Sequence, residues 1–237
     1  MLKMIKFIET KIFPVQRMIS KTGKWAALIS ILSIMVWFVS FILIAASGPI
    51  FFWTTPEVYY QIAATTDLSL EYLAKTFMLI FSIAFFIIHF SLYELAPHDK
   101  RFAGKLGLSF LGMFTLLSSI HYFMQISIVR LNLNVGSTDG LDHFLQANPI
   151  SAIIAINMLG WTLMLGIASF FFAFMFENKG RQKWLRNFHF INSFCCFLAL
   201  IGFLLRYDLL TFPAINLGVG ASISVISVLG YLIFRQK

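Results

Sequence analysis

The stretch WAALISILSIMVWFVSFILIAA, residues 25–46, contains no charged side chain. At a rise of about 1.5 Å per residue, its 22 residues form a helix about 33 Å long. That length crosses the roughly 30 Å hydrocarbon layer of a bilayer. The sequence therefore predicts a transmembrane helix here.

The composition of the whole chain agrees with a membrane location. Of its 237 residues, 59% are hydrophobic and 12% are charged, and the mean hydropathy is +0.84. Soluble domains are about 45–50% apolar and about 25% charged. These values exclude a disordered chain, a collagen and a soluble globular enzyme. The only cysteines, Cys195 and Cys196, are adjacent, which excludes a disulfide framework.

Five further apolar runs have similar lengths. Their apolar residues are continuous rather than alternating, which indicates helices and not a membrane β-barrel. We predict an all-α membrane protein, a bundle of six transmembrane helices with an N-terminal basic amphipathic helix. The predicted spans are 25–46, 76–95, 106–129, 150–176, 188–206 and 214–234. Residues 1–24 are then a cytoplasmic interfacial segment, and residues 25–237 are one transmembrane domain.

The N-terminal segment 1–24 has aliphatic residues at helical spacing, with six basic residues largely between them. A helix of this kind lies in the surface of an anionic leaflet. Pro14 predicts a kink within it.

The basic residues also predict the orientation. With a cytoplasmic N-terminus, 15 of the 18 Lys and Arg residues fall on the cytoplasmic side, and only Lys75, Arg130 and Arg206 fall on the outer side. Because Lys and Arg are retained in the cytoplasm, we predict that both termini are cytoplasmic. The net charge of +8 therefore marks one side of a bilayer and does not indicate binding to nucleic acid.

Two connections on the outer side are long, residues 47–75 and 130–149. The first is predicted to lie along the membrane surface because it is rich in aromatic residues. These are Phe51, Phe52, Trp53, Tyr59 and Tyr60. Near its end, Glu71 and Lys75 are i,i+4 partners in the favourable order. The second connection ends in Asn148-Pro149, a pair that suits the cap and first position of the next helix.

Signatures of common enzymes are missing from the sequence, including the phosphate-binding loop, the dinucleotide fingerprint, HExxH, CxxC and GxSxG. The five histidines, at 89, 98, 121, 143 and 189, do not have the spacing of a membrane di-iron site. We therefore predict no cofactor and no metal, and the sequence favours a protein that is not an enzyme.

Polar residues within the predicted spans indicate a candidate site, because such residues are costly in a membrane. They concentrate in the outer half of spans three to six, and aromatic residues accompany them. The predicted pocket residues are His121, Tyr122, Gln125, Arg130, Asn157, Trp161, Arg206 and Asn216. In this hypothesis they form a polar pocket that opens outward. The 130–149 loop would roof it with Asp139, Asp142 and His143.

A purely structural role is the alternative for the same residues. Asn and Gln in transmembrane helices often only bond a neighbouring helix, and arginines at helix ends snorkel to the interface. Gly220, Ser224 and Ser227 share one face of the sixth span. Small residues at that spacing allow close packing, within the chain or in an oligomer.

Two secondary candidates, His89 and Glu94, lie near the inner end of the second span. Glu94 either handles protons or pairs with Lys100 or Arg101. His89 and His121 differ in depth by about 13 Å, so they are not expected to share a metal ion.

Three stretches resemble a group of uncharacterised bacterial six-span membrane proteins: His121-Tyr-Phe-Met-Gln125, Gly140-Leu-Asp-His-Phe-Leu-Gln-Ala-Asn-Pro149 and Leu159-Gly-Trp-Thr-Leu-Met164. The resemblance covers residues 121–176. In that pattern an acidic residue often precedes the Leu-Gly pair, where this chain has Asn157. The resemblance implies a multi-pass protein of the bacterial inner (cytoplasmic) membrane and no particular chemistry.

Three functional hypotheses follow. The leading one is a protein that binds a small molecule or lipid in the outward pocket, as a transporter-like or sensory subunit. The second is a membrane enzyme acting on a lipid, with His121 and Glu94 as acid and base. The third is a structural subunit of a membrane complex.

Overall fold

The computed structural model describes residues 2–47 and 53–236, with side chains from residue 14 onward. We number seven helices, and no strand occurs within these ranges. They are α1 Leu2–Ser47, α2 Pro56–Thr65, α3 Ser69–Glu94, α4 His98–Asn134, α5 Ala152–Met175, α6 Gly180–Leu204 and α7 Asp208–Phe234.

Six of these helices, all except α2, are long and apolar enough to cross a membrane, α1 doing so over Pro14–Ser47. The predicted all-α, multi-pass architecture is confirmed. Several helices begin before the predicted spans, because their first turns are polar but still helical. α3 begins at Ser69, so Glu71 and Lys75 belong to the helix and not to a surface loop.

The start of α5 differs from the prediction. Its cap is Ser151, whose Oγ accepts a hydrogen bond from the Ile154 backbone N–H at 3.2 Å. Asn148 instead accepts from the Ile150 N–H at 3.2 Å, within the preceding turn. The helix therefore starts three residues later than the Asn-Pro pair indicated.

α1 is unusually long, with 46 residues in one uninterrupted helix that passes through Pro14. It joins the N-terminal segment directly to the first span. The apolar and basic side chains before residue 14 lie outside the described side chains, so an interfacial position stays a prediction. Phe51 and Phe52 of the aromatic connection also lie outside the described residues.

The bundle has two distinct ends. The turns after α3 and after α5 and the C-terminus lie at one, which we call the terminal end. The loop end, opposite to it, carries α2, residues 135–151 and the turn between α6 and α7. Large apolar side chains such as Phe38, Leu116 and Phe194 are more than half exposed around the sides, where a bilayer would cover them.

α1 lies at the periphery and packs on α3 and on the Gly220–Phe234 part of α7. Ser30 Oγ and Ser227 Oγ are 2.8 Å apart where α1 and α7 meet. Nearer the loop end, the Pro213–Val219 part of α7 has almost no contact with α1. The two helices therefore diverge toward the loop end and leave a cleft.

Candidate functional site

A cavity of about 310 Å³ occupies the loop end, bounded by α1, α3, α4, α5 and α7. Such a volume is at the lower end of the range for ligand pockets. Apolar and aromatic side chains form most of the wall. Its polar lining residues are Glu71, Lys75, Tyr122, Gln146, Asn157, Trp161, Thr211 and Asn216.

The cavity is polar near the loop end and apolar farther in. Lys75 and Asn157 lie about 8–9 Å along their helices from the loop end. Ile34 and Ile223, which line the inner part, lie about 20–22 Å from it. An amphipathic molecule parallel to the helices would match this gradient.

Four of the eight predicted pocket residues line the cavity: Tyr122, Asn157, Trp161 and Asn216. Two others, His121 and Gln125, are fully buried behind the wall. The structure therefore brings half of the predicted pocket residues to one cavity, and their role in binding stays a prediction. Arg130 and Arg206 lie elsewhere.

Gln125 holds the loop above the cavity to the helices below it. Its Nε2 donates to the Phe144 carbonyl at 2.5 Å, and its Oε1 accepts from the Gln146 backbone N–H at 3.3 Å. The same oxygen accepts from Lys75 Nζ at 3.4 Å. Gln125 thus acts from behind the wall by positioning Lys75 and Gln146.

A partly buried ion pair lines the cavity, although the sequence did not place it among the pocket residues. Lys75 Nζ lies 2.5 Å from Glu71 Oε1, and the Lys75 side chain is only 5% exposed. Tyr59 of α2 donates to the same Glu71 oxygen at 3.1 Å. The i,i+4 spacing correctly predicted the pair, but it placed the pair in a surface loop.

One polar atom of the cavity wall, Asn157 Oδ1, is buried and has no hydrogen-bond partner in the described part of the protein. The neighbouring polar side chains pair with each other: His121 lies within hydrogen-bond reach of Gln146, and Trp161 within reach of Tyr122. Nδ1 of His121 donates to the Ile153 carbonyl at 3.3 Å. Because buried polar atoms are nearly always satisfied, Asn157 Oδ1 indicates a place where a ligand or water would complete the wall.

Three π-helical segments occur next to the cavity. They are Gln125–Val129 in α4, Leu159–Met164 in α5 and Pro213–Val219 in α7. Each contains one predicted pocket residue: Gln125, Trp161 and Asn216 in turn. π-Helical turns are rare and frequent at functional sites. In α7, Pro213 lacks the backbone N–H that a regular helix would use.

The roof is built differently from the prediction. Gln146 and Ala147 cover the cavity, whereas Asp139, Asp142 and His143 are exposed. Asp142 serves instead as a tie to α2, because the Tyr60 hydroxyl donates to its Oδ1 at 2.6 Å. The short polar side chains of this loop are solvated, while its amide and apolar groups turn inward.

The two predicted arginines have structural positions. Arg130 is exposed, and its Nε donates to the Ile126 carbonyl of its own helix at 2.9 Å. It borders a separate polar depression with Asp67 and Tyr72. Arg206 is exposed just after α6, with φ at 55°, the left-handed conformation that commonly ends helices. Neither arginine lines the loop-end cavity.

At the terminal end, the secondary candidates do not form a common site. The Glu94 carboxylate pairs with neither Lys100 nor Arg101: Lys100 lies 4.0 Å from Asp99, and Arg101 donates to the backbone carbonyls of Glu94 and Ala96 at 3.5 Å. Both basic groups find nearer acceptors in the turn.

His89 has a partner that its position in the sequence does not reveal. Its Nε2 lies 3.3 Å from Nε2 of His189 on α6, and both rings are fully buried. Phe85, Phe172 and Phe176 surround the pair. Since 100 residues separate the two histidines, only packing brings them together. No group of three or more His, Cys, Asp or Glu side chains arranged for a metal ion occurs among the described residues.

Comparisons of the chain with protein-family models, with curated proteins and with solved structures find no match. The resemblance over residues 121–176 therefore stays a prediction.

Proposed function

We propose that this multi-pass membrane protein binds an amphipathic small molecule or lipid in the loop-end cavity, as a transporter-like or sensory subunit. The observation that carries the proposal is the unpartnered Asn157 Oδ1 together with the Glu71–Lys75 pair at the polar end of an otherwise apolar cavity. Leaving a buried atom such as Asn157 Oδ1 unsatisfied costs about 1–3 kcal/mol, and a bound polar group would remove that cost.

The cleft between α1 and α7 supports entry from the bilayer. Phe41 lines the cavity and is also 42% exposed on the outside of the bundle, so the wall at α1 is one side chain thick there. α1 and α7 are held together at Ser30 and Ser227 and diverge above that point. A lipid or other apolar molecule would enter here without crossing water.

The proposed location is the bacterial inner membrane, with both termini cytoplasmic and the cavity in the outer half. Of the 18 basic residues, 15 lie on the side assigned to the cytoplasm. Reporter fusions test this: a cytoplasmic fluorescent protein at the C-terminus should be active, and a periplasmic phosphatase at the same place should not.

Binding is tested by tryptophan fluorescence. Three of the five tryptophans, Trp37, Trp53 and Trp161, line the cavity. Trp161 is only 6% exposed, so bulk lipid reaches it only through the cavity. In a variant that keeps Trp161 and has Phe at the other four positions, lipids with brominated acyl chains should quench the remaining fluorescence.

A second single-tryptophan variant serves as the reference. Trp25 is 57% exposed on the side of α1 and reports the bulk bilayer. Quenching of Trp161 comparable to that of Trp25 supports an occupied cavity. Quenching of Trp25 with none of Trp161 would contradict the proposal.

A lipid-modifying enzyme receives less support. Its acid and base candidates, His121 and Glu94, lie near opposite ends of the bundle, His121 beside the start of α5 and Glu94 at the end of α3. General acid–base catalysis needs both groups within hydrogen-bond reach of one substrate. The third hypothesis, a subunit of a complex, stays a prediction. Within the chain, Ser227 already packs on Ser30 and Gly220 lines the cavity.

A further inference from the structure

We infer that the ligand of the loop-end cavity is a membrane lipid with a zwitterionic headgroup, whose ammonium group contacts Glu71 and whose anionic group contacts Lys75. The inference rests on the proposed function and adds the chemistry of the headgroup. It depends on the ion pair, the aromatic wall and the shape of the cavity.

Glu71 and Lys75 both face the cavity and both keep unused hydrogen-bonding capacity. Lys75 has three N–H donors, of which one reaches Glu71 and one reaches Gln125. Glu71 receives Tyr59 and Lys75 on the same oxygen, Oε1. Its Oε2 accepts no hydrogen bond from the described residues. One N–H donor of the cationic Lys75 and one acceptor oxygen of the anionic Glu71 therefore remain for a ligand.

The charges at this place select against ligands with a single charge. Lys75 and Glu71 are 2.5 Å apart, so a ligand with one negative charge is attracted by Lys75 but repelled by Glu71. A ligand with one positive charge is attracted by Glu71 but repelled by Lys75. In an environment that excludes water, these terms are weakly screened. A zwitterion satisfies both groups at once and leaves the cavity neutral.

The aromatic side chains of the wall suit an ammonium group. Trp53 precedes α2 and Phe212 is on α7, with their rings 4.7 Å apart, while Trp37 lies deeper on α1, about 15 Å from its loop end. The faces of such rings attract ammonium groups, most strongly when water is excluded. The Asn157 amide adds a further hydrogen-bonding group at about the same depth as Lys75.

The rest of the cavity fits an acyl chain rather than a small polar solute. The lining follows α1 from Ala45 to Ile34 and α7 from Thr211 to Ile223, about 16–18 Å along each helix, of which about 11–13 Å lies deeper than Lys75. Its inner walls are apolar. A lipid bound with its headgroup at Lys75 would have that headgroup near the membrane surface and its acyl chain directed into the membrane. Lipids of the adjacent leaflet have the same orientation.

The test uses the single-Trp161 variant with four lipids that share brominated acyl chains: phosphatidylethanolamine, phosphatidylglycerol, diacylglycerol and a diacyl trimethylammonium lipid. Each lipid is titrated into unbrominated bilayers that contain either the single-Trp161 or the single-Trp25 variant. The quenching of Trp161 is then divided by the quenching of Trp25, which reports the bulk bilayer. We expect the zwitterionic lipid to be enriched at Trp161 about tenfold over the singly charged ones.

Charge variants test the role of each partner. Glu71→Gln should shift the preference toward phosphatidylglycerol, and Lys75→Met toward the cationic lipid. The exchange E71K/K75E keeps both charges in the cavity and should keep the zwitterionic preference. If Glu71→Gln or Lys75→Met does not fold, the inference is tested by the exchange variant E71K/K75E and by the four lipids measured with the native Glu71–Lys75 pair.

Equal quenching of Trp161 by all four lipids, or an exchange variant with no preference, would overturn the inference while leaving the proposed function intact. Displacement of the lipid by millimolar glycine would also overturn it, because a free zwitterion would then suffice. Absence of any quenching at Trp161 would contradict the proposed function itself.

Discussion

Ser30 donates a hydrogen bond to Ser227 Oγ at 2.8 Å, and this contact joins α1 to α7 directly below the cleft. The direction follows from Ser227, whose own hydroxyl hydrogen is used by the Ile223 carbonyl at 2.8 Å. A hydroxyl has one hydrogen to donate, so Ser30 must supply the second. The contact marks the point below which α1 is fixed.

The first prediction concerns this contact. In a Cys195→Ala/Cys196→Ala background, S30C/S227C should form a disulfide on mild oxidation in membranes, because the side chains already touch. Electrophoretic mobility or intact mass measures the cross-link. S30C/S224C is the matched control: Ser224, like Ser227, donates to a carbonyl of its own helix, but in the described structure only Ser227 is hydrogen-bonded to Ser30. Equal cross-linking of both pairs would contradict the packing.

The second prediction separates empty from filled space on α3. Ala74 lines the cavity, whereas Ala84 is buried in packed core. Ala74→Phe should fit without loss of thermal stability and should abolish lipid quenching of Trp161. Ala84→Phe should lower the free energy of unfolding by about 1–3 kcal/mol, because overpacking strains a filled core. Similar destabilisation by both changes would show that no cavity exists at Ala74.

The third prediction compares two buried asparagines. The Oδ1 atoms of both Asn192 and Asn157 have no partner in the described part of the chain, but Asn192 Nδ2 donates to Ser169 Oγ at 2.7 Å between α6 and α5. Asn192→Leu should lower stability by about 0.6–1.7 kcal/mol, the range for such bonds in membranes. Asn157→Leu should leave stability nearly unchanged and weaken ligand binding. Thermal unfolding in detergent measures the first effect, and quenching of Trp161 measures the second.

The fourth prediction assigns the tautomers of the buried histidine pair. His89 Nδ1 donates to the Phe85 carbonyl at 2.8 Å. Because a neutral imidazole has one N–H, His89 Nε2 must accept, and His189 Nε2 must donate to it. Nitrogen NMR with labelled histidine should therefore find His89 as the Nδ1–H form and His189 as the Nε2–H form. His143, which is exposed, provides an unconstrained reference.

The fifth prediction is a pH dependence at the roof of the cavity. Burial, followed by the hydrogen bond to Asp142, raises the pKa of Tyr60 above its ordinary value of 10.0. A raised pKa means that the tie contributes stability at every pH below about 10 and loses it as the pH rises further. The protection factors of residues 138–143, which correct hydrogen exchange for its base-catalysed intrinsic rate, should therefore fall above that pH in the native chain.

Two variants check this assignment of Tyr60. Tyr60→Phe should lower the protection factors of residues 138–143 at neutral pH, and these factors should change little further at alkaline pH. Asp142→Asn should lower the pKa of Tyr60 toward its ordinary value, as followed by phenolate absorbance. A native Tyr60 that ionises like a free tyrosine would contradict the tie.

The fold was readable from the sequence because each membrane span must satisfy its own backbone hydrogen bonds. Twenty or so apolar residues without charges leave a helix as the only solution. For the same reason the polar side chains Asn157, Trp161 and Asn216 stood out. Helix boundaries were less clear, because Glu71 and Lys75 are compatible with either a loop or a polar first turn.

What the sequence by itself determined is therefore the number of spans and the region where polar groups collect. Tertiary structure alone decided which of those groups meet. It brought Lys75 and Gln125 together across 50 residues and His89 and His189 across 100, and it left Arg130 and Arg206 outside the cavity. The physical reason is that helical spacing determines which residues share a face of one helix, whereas only packing against the neighbouring helices determines which face turns inward.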